Sequence, residues 1–136
     1  MQLIPSEYDE QVSLCEFLEI LKKQNKIIEY FSIENENKQS FTNKILAIRI
    51  AQKQARSGKK SGVSDMCVVL LNKVLFIEMK KRKKALKSGK LSASGISIPD
   101  SQVNFIDTVT KSNVVSGSIC YGAVEAMNFI TQHIKT

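Results

Sequence analysis

The sequence predicts an α/β fold, a central mixed β-sheet flanked by helices, in one domain covering residues 1–136. Two observations predict it. Segments with apolar residues at helical spacing alternate with short β-branched and aromatic runs, in the order α-β-α-β-β-α-β-α. The chain is 43% hydrophobic and 24% charged, a balance that suits one globular core and neither a disordered nor a membrane-spanning chain.

The first helix is expected from Ser6 to about Gln24. Leu14, Phe17, Leu18 and Leu21 share a face, and Ser6 behind Pro5 is a suitable N-cap. Ile27 to Ile33 reads as a strand, and the polar ENENKQS after it as a loop. A second helix follows from Phe41 to about Ser57, with Ile45, Ile48 and Ala51 facing inward and Gly58 as its stop. Val63–Leu71 and Val74–Lys80 form a hairpin about Asn72 and Lys73. The basic stretch beyond it, running through LSASGIS over residues 81–98, reads as mobile. Pro99 opens a third helix, Asp100 to about Lys111, with Phe105, Ile106 and Val109 inward and Asn113 as a left-handed cap. Val114 to Tyr121 is the last strand. Gly122 leads into a closing helix with Val124, Met127, Phe129 and Ile130.

No apolar run approaches bilayer length, and MQLIPSEYDE lacks the features of a signal peptide, so a cytoplasmic protein is expected. Cys15, Cys67 and Cys120 form no CxxC pair and read as small buried hydrophobes. His133 is the only histidine, which argues against His-ligated zinc and a Ser-His-Asp triad. A metal in this chain would need carboxylate and carbonyl ligands, a set that favours Mg²⁺ or Mn²⁺. Twenty Lys and Arg against thirteen Asp and Glu give a net charge of +7. The run KKRKKALKSGK from Lys80 to Lys90 carries seven basic residues and no acid, a composition that fits either a polyanion contact or a solvated basic loop.

The hairpin concentrates reactive groups. With Asn72 and Lys73 as the turn, Leu71 pairs with Val74 and Asp65 lies opposite Lys80. Alternation then brings Asp65, Glu78 and Lys80 out on one face of the sheet. Two carboxylates beside apolar strands call for a shared cation, with the Met79 carbonyl as a further oxygen. A divalent ion held there would activate water and stabilise charge on a phosphate. Lys80 would orient that water, favour its hydroxide form or neutralise the phosphorus centre. Taken alone, D-x₁₂-E-x-K fits an ion pair at a sheet edge better than a nuclease site.

The longer pattern changes that balance. GKKSGVSD from Gly58 to Asp65, VLFIEMK from Val74 to Lys80, and Gln102 on a following helix resemble the VRR-NUC family of the PD-(D/E)XK nuclease superfamily. The likeness extends to a glutamate-bearing first helix, the stretch Ile33–Glu36 and the YGAVEA that opens the last helix. It implies a restriction-endonuclease-like core, with Asp65 and Glu78 as metal-binding acids and Lys80 as the catalytic lysine. Gln102 would orient the lysine or the phosphate. Glu10, which shares the apolar face of its helix, would be the first-helix acid and a further metal ligand, and Glu7 one turn earlier is the alternative. Glu36 matches a family glutamate that follows an asparagine. Two departures stand out: Ser64 replaces the usual proline before the aspartate, and SIPDSQ before Gln102 is longer than the family's compact form.

The resemblance implies an Mg²⁺-dependent endodeoxyribonuclease, with Mn²⁺ as a substitute, selective for branched DNA such as Holliday junctions and acting as a homodimer. Lys59, Lys60, Lys81, Arg82, Lys83, Lys84, Lys87 and Lys90 would contact DNA. Two other readings stay open: a sequence-specific restriction or homing nuclease, and a catalytically silent DNA-binding module.

Overall fold

The computed structural model describes residues 3–34 and 43–134. Ile33 and Glu34 are described, whereas Asn35 and Glu36 lie outside the described residues. Helix α1 (Glu7–Lys23) starts at a capping box in which Ser6 Oγ accepts the Asp9 N–H and the Asp9 carboxylate accepts the Ser6 N–H. Glu7, Asp9 and Glu10 at its start and Lys22 and Lys23 at its end complement the helix dipole. Its buried face is Glu10, Leu14, Leu18 and Leu21, with Phe17 partly covered, as the spacing predicts. Asn25, at φ 59°, turns the chain out of the helix toward the first strand.

Strands β1 (Glu29–Ser32), β2 (Met66–Val69) and β3 (Val74–Lys80) form an antiparallel meander. The last strand, β6 (Val115–Tyr121), pairs with β3 in parallel, giving a mixed sheet in the order β1-β2-β3-β6. The parallel pairing requires a crossover, and helix α3 (Asp100–Val109) lies within it.

Alternation along β3 divides the molecule into two layers of helices. Leu75, Ile77 and Met79 are fully buried and join Met66, Val68 and Cys120 in one core with Leu14 and Leu18 of α1. Ala126 and Ile130 of helix α4 (Ala123–Ile134) complete that core. Each fully buried Leu, Ile, Val or Met among them contributes roughly 1.5–3 kcal/mol by leaving water. Phe76, Glu78 and Lys80 point to the other face, which α3 covers. Phe105 meets Phe76 edge-on at 5.2 Å, and Ile106 lies over Gly117. Phe105, Ile106 and Val109 are half-buried, as expected of the third helix.

Several expectations are corrected. The hairpin turn takes four residues, Leu70 to Lys73, because Val69 and not Leu71 pairs with Val74. A two-residue turn favours left-handed residues at both positions, and neither Asn72 nor Lys73 has positive φ. The Leu70 N–H instead reaches the Lys73 carbonyl at 2.8 Å. Residues 81–98 contain a small hairpin of β4 (Lys84–Ala85) and β5 (Leu91–Ser92), so the described residues include two strands more than predicted. Helix α2 (Lys44–Arg56) is present, but it buries no residue and Ile45 and Ile48 are exposed. The two faces of the sheet are covered by α1 with α4 and by α3. Asn113 is not left-handed, since α3 ends at Thr110 in right-handed geometry. On α4, Ala123 and Ala126 take the buried positions and Val124 is exposed. No described helix is long and apolar enough to cross a membrane.

Candidate active site

Lengthening the turn by two residues moves every pairing by two, and side-chain direction repeats every two residues. Met66 therefore faces Ile77, and the next rung sets Asp65 beside Glu78 instead of Lys80. The face is unchanged: Asp65, Glu78 and Lys80 stand together on the side of the sheet that α3 covers. Ladder bonding gives way there to reciprocal side-chain contacts. The Asp65 N–H donates to Glu78 Oε2 at 3.1 Å, and the Met79 N–H donates to Asp65 Oδ2 at 2.8 Å. Each carboxyl is thus fixed by the backbone of the opposite strand, while the Met79 side chain turns into the other core.

Glu78 is 2% exposed, and burial, reinforced by the Asp65 charge, pushes its carboxyl up to about 8. Lys80 Nζ lies 3.8 Å from Glu78 Oε1, too far for a hydrogen bond. Its opposing influence is smaller than burial and Asp65 together, so at neutral pH the Glu78 carboxyl is largely protonated. Lys80 is itself buried at 8% exposure, an unusual position for a lysine.

Gln102 reaches the same face from α3. Its position is four residues before Ile106 and seven before Val109, which places it on the sheet-facing stripe of the helix. The longer SIPDSQ segment therefore leaves the helical phase intact. Gln102 Oε1 is buried and has no hydrogen-bond donor among the described residues. Gly62 lets the loop before Asp65 approach this helix. At φ +80° any Cβ there would overlap the Ser101 carbonyl and come within 2.8 Å of the Gln102 nitrogen.

Glu10, not Glu7, is the buried acid of α1, at 1% exposure. Its carboxylate is engaged by Arg82, with Nε on Oε2 at 3.0 Å and the second guanidinium nitrogen on Oε1 at 2.8 Å. This bidentate contact holds the Glu10 carboxyl below its ordinary range, against the effect of burial. The Gly122 N–H donates to the Lys80 carbonyl at 2.9 Å, and a Cβ on Gly122 would lie 2.7 Å from Glu10 Oε2. Glu10, Arg82 and Gly122 therefore pin the end of β3 to the start of α4. Among the described residues, no three His, Cys, Asp or Glu side chains converge on a point that would hold a metal, so Glu10 does not join Asp65 and Glu78 in one cluster.

The other basic residues divide into two groups. Lys59, Lys60, Lys81, Lys84, Lys87 and Lys90 are exposed. Lys83 packs its ammonium 4.8 Å from the centre of the Tyr121 ring, and Arg82 keeps half its side chain exposed while holding Glu10. His133 sits beside Lys73, at the opposite end of β3 from Lys80. Residue types and alternation reveal the acids and the lysine. The Glu10–Arg82 contact joins groups 72 positions apart, and its one sequence signal is a carboxylate on an apolar helix face. Comparison with models of known protein families, with curated proteins and with solved structures finds no match.

Proposed function

We propose that this chain is a metal-dependent nuclease that hydrolyses DNA phosphodiester bonds on a restriction-endonuclease-like core. The observation that carries the reading is the Asp65–Glu78 pair, two acids locked on adjacent strands with one carboxyl raised to about 8. Mutual repulsion of that kind is relieved when a cation replaces the proton. The donor set suits a hard divalent ion, since the groups on this face are carboxylates, an amide oxygen and backbone carbonyls. Buried Gln102 Oε1, without a donor among the described residues, is consistent with a place for water or another polar group.

Asp65 and Glu78 would hold Mg²⁺ or Mn²⁺, with the Met79 carbonyl as a further oxygen. When bound, such an ion supplies Lewis-acid stabilisation of charge on the phosphate and eases deprotonation of water. Lys80, on the same strand face, donates to the attacking water or a non-bridging phosphate oxygen. Gln102 Oε1 accepts from that water and fixes its direction. Glu10 acts through Arg82 as a positioning residue for the chain leaving β3. The exposed lysines from Lys81 to Lys90 bind phosphates on either side of the scissile bond. The VRR-NUC resemblance supports branched DNA as the substrate.

The commitment of Glu10 to Arg82 favours a second reading, a module that binds DNA without cutting it. Incubation of duplex, flap, single-stranded and four-way-junction DNA with Mg²⁺, Mn²⁺ or EDTA separates the two. Cleavage that requires the metal supports the nuclease, and binding without cleavage in either metal supports the module.

A further inference from the structure

The basic residues of the chain are not spread evenly. Residues 37–64 contain seven Lys and Arg and no acid, and residues 79–99 contain seven more and no acid. Asp65 closes the first run and Glu78 precedes the second, so each strand of the β2–β3 hairpin carries one run away from the acid pair. The second run holds the lysines that follow β3. The first contains α2, which buries no residue in the core.

Helical spacing sorts α2 into two faces. Ala47, Ile50 and Gln54 share one face and are half-covered. Arg49, Gln52, Lys53 and Arg56 recur at i, i+3, i+4 and i+7 on the other, and all four are exposed. With Ala55 they line an open recess of about 700 Å³. Among the described residues, Arg49, Lys53 and Arg56 form no ion pair. Helix stability does not explain this composition. The dipole favours Lys53 and Arg56 in the last turn, but it also favours acids in the first turn, where α2 has none. Helix α1, by contrast, begins with Glu7, Asp9 and Glu10. Three like charges on one exposed stripe repel one another until a polyanion neutralises them.

The dimensions suit a nucleic-acid backbone. Arg49 to Arg56 covers about 10 Å of helix axis, the rise of about three phosphates along one strand of a duplex. Residues 57–61 join Arg56 to Gly62, three residues before Asp65, and span at most about 22 Å. That is less than the roughly 34 Å of one duplex turn, so one duplex can meet both α2 and the acid pair. A membrane-bound helix carries an apolar face along its length. In α2 the exposed apolar residues Ile45, Leu46 and Ile48 are confined to the first five positions. We propose that the Arg49–Gln52–Lys53–Arg56 face of α2 is a second DNA-binding arm, which grips duplex phosphates other than those met by the lysines after β3. The inference rests on the DNA-binding part of the proposed function and needs neither metal nor cleavage.

The test is duplex affinity of the full chain in EDTA, from about 50 to about 200 mM salt. A triple variant carrying Arg49→Gln, Lys53→Gln and Arg56→Gln should fold normally by circular dichroism and bind more weakly. Its salt slope should be flatter by up to about 2.7, so its deficit against wild type narrows on the order of fortyfold over that range. A control carrying Lys23→Gln, Lys26→Gln and Lys111→Gln loses the same charge from exposed positions elsewhere and should keep the wild-type slope. Adding Lys83→Gln, Lys84→Gln and Lys87→Gln to the α2 variant should flatten the slope further, by the amount those changes cause alone. A wild-type slope in the α2 variant, an equal change in the control, or no further change in the combined variant overturns the proposal. So does an α2 variant that loses binding to phosphatidylserine vesicles and keeps its DNA slope. A chain that shows the expected slopes and never cuts DNA keeps this arm and overturns the catalytic reading alone.

Discussion

Glu78→Gln isolates the electrostatic condition of the site from its shape. Glutamine keeps an oxygen to accept the Asp65 N–H but has no charge to bury. In the folded protein the Glu78 carboxyl is raised from 4.5 to about 8. The folded state therefore binds a proton more tightly than the unfolded chain, and stability is lost as pH rises between those values. Each pH unit in that window costs about 1.4 kcal/mol, which amounts to about 3 kcal/mol by pH 7. Metal-free Glu78→Gln should match wild type below about pH 4.5 and exceed it by about 3 kcal/mol at pH 7. For a chain of this size that corresponds to roughly 10 °C in Tm. Urea or thermal unfolding in EDTA from pH 4 to pH 8 measures the difference. Added Mg²⁺ should then stabilise wild type, increasingly toward pH 8, and leave the variant nearly unchanged. Parallel pH curves for the two proteins would refute the reasoning, because Glu78 would then carry no proton that a cation could replace.

Three further outcomes are expected. Lys80→Ala should lower the single-turnover cleavage rate on the order of a hundredfold or more with little change in DNA affinity; reduced affinity with an unchanged rate would make Lys80 a phosphate contact only. Replacing Lys83, Lys84 and Lys87 with Gln should weaken DNA binding and flatten the slope of its salt dependence by up to about 0.9 for each phosphate no longer neutralised. Identical slopes in Ca²⁺ would place the DNA path elsewhere. Gly62→Ala should destabilise the fold by at least about 1 kcal/mol, because a left-handed residue would be forced against the start of α3; an unchanged Tm would contradict that close approach.

Much of the candidate site is legible in the sequence because alternation survives an error in register. The turn is two residues longer than its composition suggests, yet Asp65, Glu78 and Lys80 keep one face, and a shift of one would have scattered them. Gln102 is legible for a related reason: its spacing to Ile106 and Val109 fixes its side of the helix. Amphipathicity is less informative for α2. An apolar stripe shows that a helix needs a cover and does not identify the cover, so Ile45 and Ile48 point on paper to a core that other helices already fill. The β4–β5 hairpin escapes sequence reading because its lysine-rich segment lacks the β-branched residues that mark strands. Glu10 is recognisable as an acid in an apolar setting, whereas its engagement by Arg82 arises only when α1 and the end of β3 are brought together.

The central claim is that Asp65 and Glu78 jointly hold a divalent ion on which DNA hydrolysis depends. Its most direct test is cleavage of a four-way junction and a matched duplex by wild type, Asp65→Asn and Glu78→Gln across an Mg²⁺ titration, with DNA binding measured in parallel. Wild type should cut only with the metal, and both variants should stay folded, bind DNA and show no cleavage at any Mg²⁺ concentration. Near wild-type cutting by either variant in saturating Mg²⁺, or equal cutting by wild type in EDTA, would contradict the claim.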